Sequence, residues 1–258
     1  WNLYVAIHDV KLINILKSWN FVGFNNFIDL FHDTYFFESL KVSLFFVGGS
    51  VTFQLIVGLL LALLINQKIR GAKTFRVIFI IPWILSAVIV GFSWRWMYHD
   101  LFGLINYSLN MIGLQPIGWL TNPNIAIWSI VITDSWYGTP FTMLFLGAAL
   151  MSIPDELYEA AAVDGASKWQ SFRYITLPHL KPFIAINLIL ITMWTVNIFE
   201  LHLVMTGGGP LYSTTTTSLY MYRKAFEFGH ISIGACLGFI LFGINMIAAY
   251  FYVKSMRQ

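Results

Sequence analysis

The sequence predicts an all-α fold whose helices cross a lipid bilayer, and three observations lead to this prediction. Apolar residues make up 58% of the 258 residues and charged residues only 10%, with a mean hydropathy of +0.71, more than a water-facing surface can carry. Long apolar runs recur, each near the roughly 20 residues that a helix needs to span a bilayer. The runs are continuous and do not alternate, which favours helices over a barrel.

We place five spans along the chain, at 36–65, 76–98, 125–150, 183–204 and 231–253. The first is longer than a bilayer requires, so we expect it to tilt or to extend beyond the bilayer. Lys and Arg concentrate in 66–76, in 151–182 and at the C-terminal end, whereas 99–124 contains neither. Basic connections lie in the cytoplasm. The polytopic chain is therefore expected to expose 151–182 to the cytoplasm and to hold 1–35 and 205–230 outside.

The whole chain, 1–258, is expected to form a single transmembrane domain. Its opening stretch, "WNLYVAIHDV", has no Met and no charged leader region, which suits neither a start outside the cell nor a signal peptide. We expect it to be the outer end of a preceding first span; a peripheral or re-entrant amphipathic start is the alternative. The net charge of +3 reflects topology, because no basic patch with interleaved aromatic residues points to nucleic acid.

Residue types that carry chemistry are sparse. The one cysteine, Cys236, lies in an apolar run as a small core residue would, and it leaves no disulfide framework or cysteine-based metal site. The chain contains no Gly-Lys dipeptide, hence no phosphate loop, and neither G-x-S-x-G nor H-E-x-x-H. Six histidines lack ligand spacing and are expected to be structural or interfacial: His8, His32, His99, His179, His202 and His230.

One polar segment interrupts the apolar pattern between the third and fourth spans. The stretch "SIPDELYEAAAVDGASKWQSF" (152–172) predicts a helix, a glycine stop and a second helix. Ser152 and Asp155 suit a capped start, with Pro154 in the first turn. Gly165 supplies the C-terminal break.

The second helix of this segment starts with a capping box, Ser167 with Gln170 three residues later. Pro178 is expected to end it after Leu177. Apolar residues recur at helical spacing in both helices. The two helices could pack on their own bundle as an ordinary loop between spans. They could instead face outward and bind a soluble partner, and periodicity alone does not distinguish these two interpretations.

The same segment carries a family resemblance. "EAA" at 159–161, "DGA" at 164–166, Phe172, and "ITLP" at 175–178 followed by Pro182 resemble the cytoplasmic EAA loop of membrane subunits of binding-protein-dependent ATP-binding-cassette importers. Further stretches resemble the carbohydrate-uptake branch, the maltose and glycerol-3-phosphate type: "FVGFNNF" (21–27), "GLLLALLINQKIRG" (58–71), "FGLINYSLN" (102–110), "IPDELYEAA" (153–161) and "TGGGP" (206–210). The resemblance covers nearly the whole chain.

This resemblance implies the transmembrane-domain fold of type I importers in a prokaryotic inner or plasma membrane, with a span preceding "FVGFNNF". It also implies that the EAA loop is a coupling helix that docks on an ATPase subunit. We carry that role to five residues: Glu159, Ala160, Ala161, Asp164 and Gly165. For Glu159 and Asp164, simple capping of the helix is the alternative.

The resemblance further implies the partners. They are a second permease subunit, with a heterodimer favoured, two ATP-binding-cassette ATPase subunits and an external solute-binding protein. ATP and Mg²⁺ would be used by the ATPase, and this chain would need no cofactor and no metal.

Two kinds of residue inside spans are candidates for the substrate path: ionisable residues, whose burial in lipid costs free energy, and residues of the types that bind sugars. Asp134 and Glu200 are ionisable residues in apolar runs, and such residues usually face a cavity or a partner. Sugars are bound by hydrogen-bonding groups beside aromatic faces, which adds Trp136, Tyr137 and Asn197. A structural ion pair is an equally open reading of Asp134, with Arg95 as its partner; Arg95 could also pair with Asp100.

Three further patterns make smaller predictions. Trp94, Trp96 and Tyr98 suit an aromatic belt at the outer interface. "TGGGPLYSTTTT" (206–217) predicts an external loop loosened by its glycines, which would face the pathway or a binding protein or act as a flexible connector. "GACLG" (234–238) suits close approach of another helix.

Two other function classes compete with the importer subunit. An ion-coupled secondary transporter could use Asp134 and Glu200 to carry the ion, but it has no need of the capped EAA hairpin. An intramembrane enzyme would need a nucleophile and base pair, and the sequence offers none to point to.

Overall fold

The computed structural model describes residues 1–66 and 72–256, which are mostly helical with one two-stranded sheet. In that sheet, β1 (His8–Asp9) pairs antiparallel with β2 (Asn20–Phe21), with His8 opposite Phe21. The helices are α1 (Asn2–Ala6), α2 (Asn25–His32), α3 (Thr34–Asn66), α4 (Ala72–Ile84), α5 (Ala87–Met97), α6 (Leu104–Met111), α7 (Pro123–Met151), α8 (Asp155–Val163), α9 (Lys168–Ser171), α10 (Leu177–Asn197), α11 (Glu200–Met205), α12 (Thr217–Tyr222) and α13 (Ile231–Met256).

Within 1–66 and 72–256, three stretches of helix are long and apolar enough to cross a membrane: Thr34–Asn66, Lys168–Asn197 and Ile231–Lys254. The number rises to five if each of two broken helix pairs is one span: Thr74–Ile84 with Ala87–Met97, and Pro123–Met151 with Asp155–Val163. The predicted all-α, polytopic fold is confirmed. Part of the predicted basic connection 66–76, and Arg257 in the tail, lie outside the described residues.

The second predicted span, 76–98, is wrong as one continuous helix. Ser86 has an extended backbone (φ −66°, ψ 139°), and its Oγ accepts a hydrogen bond from the Val88 N–H at 3.3 Å. A serine N-cap of this kind starts a new helix. Pro82 lies in the last turn of α4, where it cannot donate a backbone hydrogen bond, so α4 ends and α5 begins afresh.

The predicted helix end at Pro178 is also wrong. A π-helical turn at Phe172–Thr176 joins α9 to α10, and the Leu177 N–H donates to the Phe172 carbonyl. This wider turn relieves the crowding that a proline ring imposes on the preceding turn of an α-helix. The helix therefore runs through Pro178 to Asn197, where it ends before the predicted boundary at 204.

The Cα positions divide the chain into two compact units. Unit 1 comprises Trp1–Ser50, Ser86–Asp134 and Trp194–Met246, and unit 2 comprises Val51–Leu85, Ser135–Met193 and Ile247–Gln258. The core of unit 1 includes Val10, Leu30, Phe36, Cys236 and Leu237. The core of unit 2 includes Ala62, Leu146, Leu150, Ile153 and Leu180.

In unit 1, the N-terminal segment is bonded to the start of α13. The Ser232 N–H donates to the Val10 carbonyl at 3.0 Å, and the Leu12 N–H donates to the Gly229 carbonyl at 2.8 Å. Asn26 holds the segment together, because its Nδ2 donates to the carbonyls of Ala6 and His8 at 2.8 and 3.0 Å. Residues 10–12 therefore lie level with the first turn of a spanning helix.

The glycines of "GACLG" allow the close approach that the pattern predicts. A Cβ built on Gly234 would lie 2.6 Å from the Cβ of Ala225, and one on Gly238 would lie 3.0 Å from Nδ2 of Asn2. Asn2 uses this proximity to donate to the Ala235 carbonyl at 3.1 Å. The two glycines thus let neighbouring side chains approach the backbone of α13, as small residues do where helices meet in lipid.

A partly buried ionic cluster joins Asp33, the C-cap residue of α2, to the π-helical turn Arg223–Glu227. The Asp33 carboxylate accepts hydrogen bonds from the Tyr220 hydroxyl and, at 3.0 Å, from the Lys224 ammonium. Burial raises the pKa of Asp33. The two hydrogen bonds, the Lys224 charge and the Tyr35 N–H together lower it by more, so the pKa lies below its ordinary value. The folded chain thus favours the ionised carboxylate.

Gly234→Ala should destabilise the folded chain by about 1–3 kcal/mol, because the added methyl group cannot be accommodated against Ala225. Gly243→Ala is the matched control on the same helix: its Cβ would meet nothing within 4 Å, and alanine favours helix by about 0.5–1 kcal/mol. Thermal unfolding in detergent should show a lower midpoint for the first variant only. Equal midpoints for the two variants would contradict the tight contact.

Asp33→Asn should lower the free energy of unfolding at neutral pH by about 1.5–3 kcal/mol, since two hydrogen bonds to a charged group are weakened. Because the pKa of Asp33 is lower in the folded state, the ionised carboxylate stabilises the folded chain at pH values above 3.8, the ordinary pKa. This stabilisation is lost as the pH falls through the lowered pKa of the folded state. The difference between wild type and variant should therefore shrink in acid. Asp29→Asn, at an exposed position of α2, is the control; a variant as stable as wild type at pH 7 would be the contrary result.

Candidate functional site

The predicted coupling hairpin consists of α8 and α9 joined by residues 164–167. The predicted cap of its first helix is wrong in one detail. Pro154 occupies the N-cap position with an extended backbone, while the Ser152 hydroxyl donates backward to the Ala149 carbonyl at 2.7 Å. Asp155 and Glu156 lie in the first turn, where carboxylates stabilise the positive end of the helix dipole.

Gly165 ends α8, as predicted from the sequence, through a Schellman motif. Its φ is +77°, and its N–H donates to the Ala162 carbonyl at 3.1 Å, while the Ala166 N–H donates to the Ala161 carbonyl at 2.9 Å. These two bonds satisfy the last carbonyls of the helix. Only a residue that tolerates a left-handed backbone fits this position.

The predicted capping box of the second helix is confirmed. The Gln170 N–H donates to Oγ of Ser167 at 3.3 Å, and the Ser167 N–H donates to Oε1 of Gln170 at 2.7 Å. Both ends of the bend are thus held by local hydrogen bonds.

The hairpin is anchored to unit 2 at one point and exposed elsewhere. The Tyr158 hydroxyl and the Thr176 Oγ1 lie 2.9 Å apart and share a hydrogen bond, and Tyr158 packs against the unit 2 core. Of the five predicted coupling residues, Ala161 is half-buried, and Glu159, Ala160, Asp164 and Gly165 are exposed. They lie together at the end of α8.

Sequence reasoning missed Val163, which is 88% exposed at the tip of the hairpin. Trp169 and Tyr174 are exposed nearby in the chain. An isolated exposed apolar residue is ordinary, but one flanked by small residues and carboxylates at the end of a capped helix suits protein docking. The pattern that points to it is an apolar residue two positions before a helix-ending glycine.

The predicted path residues divide between the two units. Asp134, Asn197 and Glu200 belong to unit 1, and Trp136 and Tyr137 belong to unit 2. Asp134 is buried and interacts with neighbouring groups, whereas Asn197 and Trp136 are exposed.

Two of these residues bond to backbone groups next to helix breaks. The Tyr137 hydroxyl donates to the Leu85 carbonyl at 3.1 Å, directly after α4. The Glu200 Oε2 accepts from the Phe199 N–H at 3.1 Å, at the start of α11. Both side chains therefore have a structural partner whatever their role in transport.

The predicted partner of Arg95 is wrong. Its Nη1 donates to the Val204 carbonyl at 3.0 Å, and Asp100 accepts from the Thr121 hydroxyl at 3.0 Å. The close packing of α5 on α11 at Gly91, whose added Cβ would lie 3.2 Å from Val204, brings Arg95 to this carbonyl.

The predicted aromatic belt is wrong for one member. Tyr98 is buried, and its hydroxyl donates to the Ser129 carbonyl at 3.4 Å. It also packs against Trp119 and Trp94. Trp96 is exposed, as a belt residue would be.

The loop 206–217 is ordered by hydrogen bonds, which contradicts the expectation of a loose connector. Thr214 donates to the Gly209 carbonyl at 2.8 Å, Thr215 donates to the Gly208 carbonyl at 2.9 Å, and Arg223 donates to the Gly207 carbonyl. The threonines are buried, so their hydroxyls replace the backbone partners that the loop lacks. Leu211 stands 86% exposed at its tip.

Side chains of the metal-ligating types are scattered in the described part of the chain. Among the described residues, no three His, Cys, Asp or Glu side chains lie close enough together to hold a metal ion. The exposed residues of the hairpin include Ala160, Val163 and the carboxylates of Glu159 and Asp164.

The family model described as "Binding-protein-dependent transport system inner membrane component" matches residues 54–257. The chain belongs to this family. It is therefore a multi-pass protein of the prokaryotic inner membrane and a transport subunit, as the resemblance implied.

Relatives of this permease agree with the carbohydrate branch. It is 38% identical to the trehalose/maltose transport system permease protein MalF of Thermococcus litoralis, over 98% of this chain and 85% of that protein. It is 34% identical to the sulfoquinovosyl glycerol transport system permease protein SmoG of Agrobacterium fabrum, over 99% of this chain and 82% of that protein. The predicted resemblance to carbohydrate-uptake permeases is confirmed.

Solved structures confirm the fold of type I importer subunits. A chain of a bacterial ABC transporter involved in the import of the acidic polysaccharide alginate superposes with a TM-score of 0.83 at 28% identity, covering 95% of this chain and 86% of that chain. The MetNI methionine ABC transporter, at 18% identity, a TM-score of 0.59 and coverage of 85% and 93%, shares the fold.

Gly165→Ala should loosen the hairpin of the permease, because a left-handed alanine costs about 1–2 kcal/mol. The added Cβ would meet nothing within 4 Å, so the effect comes from the backbone alone. Gly165→Asn, which tolerates this conformation better, is the matched control. Amide hydrogen exchange over residues 159–167 should accelerate in the alanine variant and much less in the asparagine variant; equal exchange in the two would rule out backbone strain.

Proposed function

We propose that this permease is one transmembrane subunit of an ATP-driven importer of a sugar or related solute, which couples ATP hydrolysis in a partner to alternating access. The observation that carries the proposal is the exposed EAA hairpin, capped at its bend and anchored by Tyr158 to Thr176. A segment that is locally rigid and outwardly exposed can transmit movement of a partner to the helices behind it.

The chemistry of the hairpin suits docking on an ATPase subunit. Ala160 and Ala161 allow close approach of two surfaces, and Val163 offers an apolar side chain to a groove. Glu159 and Asp164 lie in the same short stretch and can pair with basic groups at its rim. Gly165 keeps the bend that presents them, and the helix before it ends in satisfied carbonyls.

The assembly that this function requires contains three kinds of component besides this permease. We propose a second permease subunit, forming a heterodimer, two ATP-binding-cassette ATPase subunits and an external solute-binding protein. ATP and Mg²⁺ are used in the ATPase, and the permease itself needs no cofactor. A solved relative, the alginate ABC transporter, was crystallised in complex with an alginate pentasaccharide-bound periplasmic protein.

We propose that the substrate path is lined by Asp134, Trp136, Tyr137, Asn197 and Glu200. The relatives named for trehalose/maltose and for sulfoquinovosyl glycerol support a sugar or a glycosylated polyol as the substrate class. Trp136 and Asn197, being exposed, offer an aromatic face and an amide, the two groups that bind sugars. Asp134 provides a carboxylate in the same part of α7.

Val163→Lys should release the ATPase subunit from the purified complex, because a charge replaces the apolar contact. The side chain is 88% exposed, so the unfolding temperature of the permease itself should not change. The permease would be expressed with its genomic neighbours, purified in mild detergent and analysed by mass spectrometry for the ATPase.

Leu211→Lys is the matched control. It makes the same change at an equally exposed position, 86%, in a loop predicted to lie on the opposite side of the membrane, and it should retain the ATPase. Full retention of the ATPase by Val163→Lys would contradict docking through this part of the hairpin. Absence of the ATPase from the wild-type complex would favour an ion-coupled transporter.

A further inference from the structure

The turn between β1 and β2 exposes a cluster of aliphatic side chains, Leu12, Ile13, Ile15 and Leu16, called here the aliphatic tip. Ile13 is 89% exposed and Leu16 is 98% exposed. A protein surface rarely offers consecutive large aliphatic residues to water, and an exposed apolar patch of this kind usually contacts a partner or a membrane. The β-hairpin formed by β1 and β2, which carries the tip, is itself held in place by the Asn26 amide.

The depth of the aliphatic tip relative to the bilayer follows from its hydrogen bonds to α13. Val10 exchanges hydrogen bonds with Ser232 at 3.0 and 3.1 Å, and the Leu12 N–H donates to the Gly229 carbonyl at 2.8 Å. Gly229 and Ser232 flank the first residue of α13, one of the helices long and apolar enough to span the membrane. The tip therefore lies at the level where a spanning helix enters the lipid.

Charged and aromatic neighbours complete the pattern of an interfacial segment. Lys11 and Lys17 flank the tip and are both exposed. Lys11 Nζ lies 3.7 Å from Oδ1 of Asp9, an exposed pair of the kind that contributes little, so a phosphate can replace the carboxylate. Lysines at this depth extend their ammonium groups to lipid phosphates. Trp1, Tyr4 and Trp19 form a ring cluster beside it, with centroids 5.8–6.2 Å apart. Trp and Tyr side chains concentrate at the boundary between headgroups and acyl chains.

A cavity of about 390 Å³ adjoins the tip and suits a lipid headgroup. Its apolar wall is formed by Leu12, Ile13 and Phe228, and its polar wall by Lys11, Glu227 and His230. The tip and this cavity therefore place an aliphatic surface next to a cation.

We propose that the aliphatic tip inserts into the membrane leaflet that α13 enters at Ile231, with Lys11 and Lys17 on phospholipid phosphates. The tip then anchors the N-terminal hairpin to the bilayer. Because the hairpin is bonded to α13, the anchor fixes the end of that helix against the membrane surface.

The test places a labelled cysteine at chosen positions of a chain from which the native cysteine has been removed. Cys236 is buried and is replaced in a Cys236→Ala background; Ile13→Cys and Leu16→Cys are each labelled with an environment-sensitive fluorophore. Asp29→Cys, at an exposed position of the same N-terminal segment beside the polar cleft of Asp9 and Asp33, is the control. The full complex is reconstituted in vesicles of phosphatidylcholine and phosphatidylglycerol, with and without lipids brominated on their acyl chains.

Insertion predicts a blue shift and loss of fluorescence in brominated vesicles at positions 13 and 16, and neither at position 29. Labels at 13 and 16 that are quenched by aqueous iodide and unaffected by brominated lipid would overturn the proposal. A blue shift without lipid quenching would also overturn it, since a protein segment or partner would then cover the tip.

The lysine contacts are tested separately. In the Ile13→Cys chain, lipid quenching should increase with the fraction of phosphatidylglycerol, and Lys11→Gln with Lys17→Gln should abolish that increase. An increase that persists in the double variant would exclude the two lysines as the phosphate contacts.

Discussion

Lipid offers no hydrogen-bond partner to the backbone, and the rest of this structure depends on that constraint. Within a span the helix itself satisfies each carbonyl, but every break in a helix exposes some of them. The permease supplies a side chain at each of three such places. Tyr137 donates to the Leu85 carbonyl, Ser218 to that of Ile198 and Arg95 to that of Val204. Breaks in the helices are tolerated where such donors are available.

This constraint explains why polar residues inside the spans have two possible meanings. Tyr137 and Glu200 are candidates for the substrate path in the sequence because they are polar residues in apolar runs. Their bonds to Leu85 and Phe199 give a structural reason for their presence. A role in the path would have to be added to that reason. Asn197 and Trp136 are exposed, so a solute could reach their side chains.

Local patterns predicted what local interactions determine. The hairpin bend follows from Gly165 and from the Ser167–Gln170 capping box, all within a few residues, and both are present in the structure. The break after α4 has local signals in Pro82 and the Ser86 cap, but the apolar run hid them. The hydroxyl that satisfies the Leu85 carbonyl comes from a residue 52 positions away and could not be foreseen from local pattern. The order of the loop 206–217 was missed because a run of threonines predicts flexibility until their buried partners are known.

We propose that ATP hydrolysis, transmitted through the hairpin formed by α8 and α9, drives solute uptake. The most direct measurement is uptake of labelled sugar into vesicles that contain the permease with its partner subunits, with ATP and Mg²⁺ inside and the solute-binding protein outside. We expect uptake that requires both ATP and the binding protein and that persists when ionophores collapse all ion gradients. Uptake that follows a proton or sodium gradient and proceeds without ATP would contradict it.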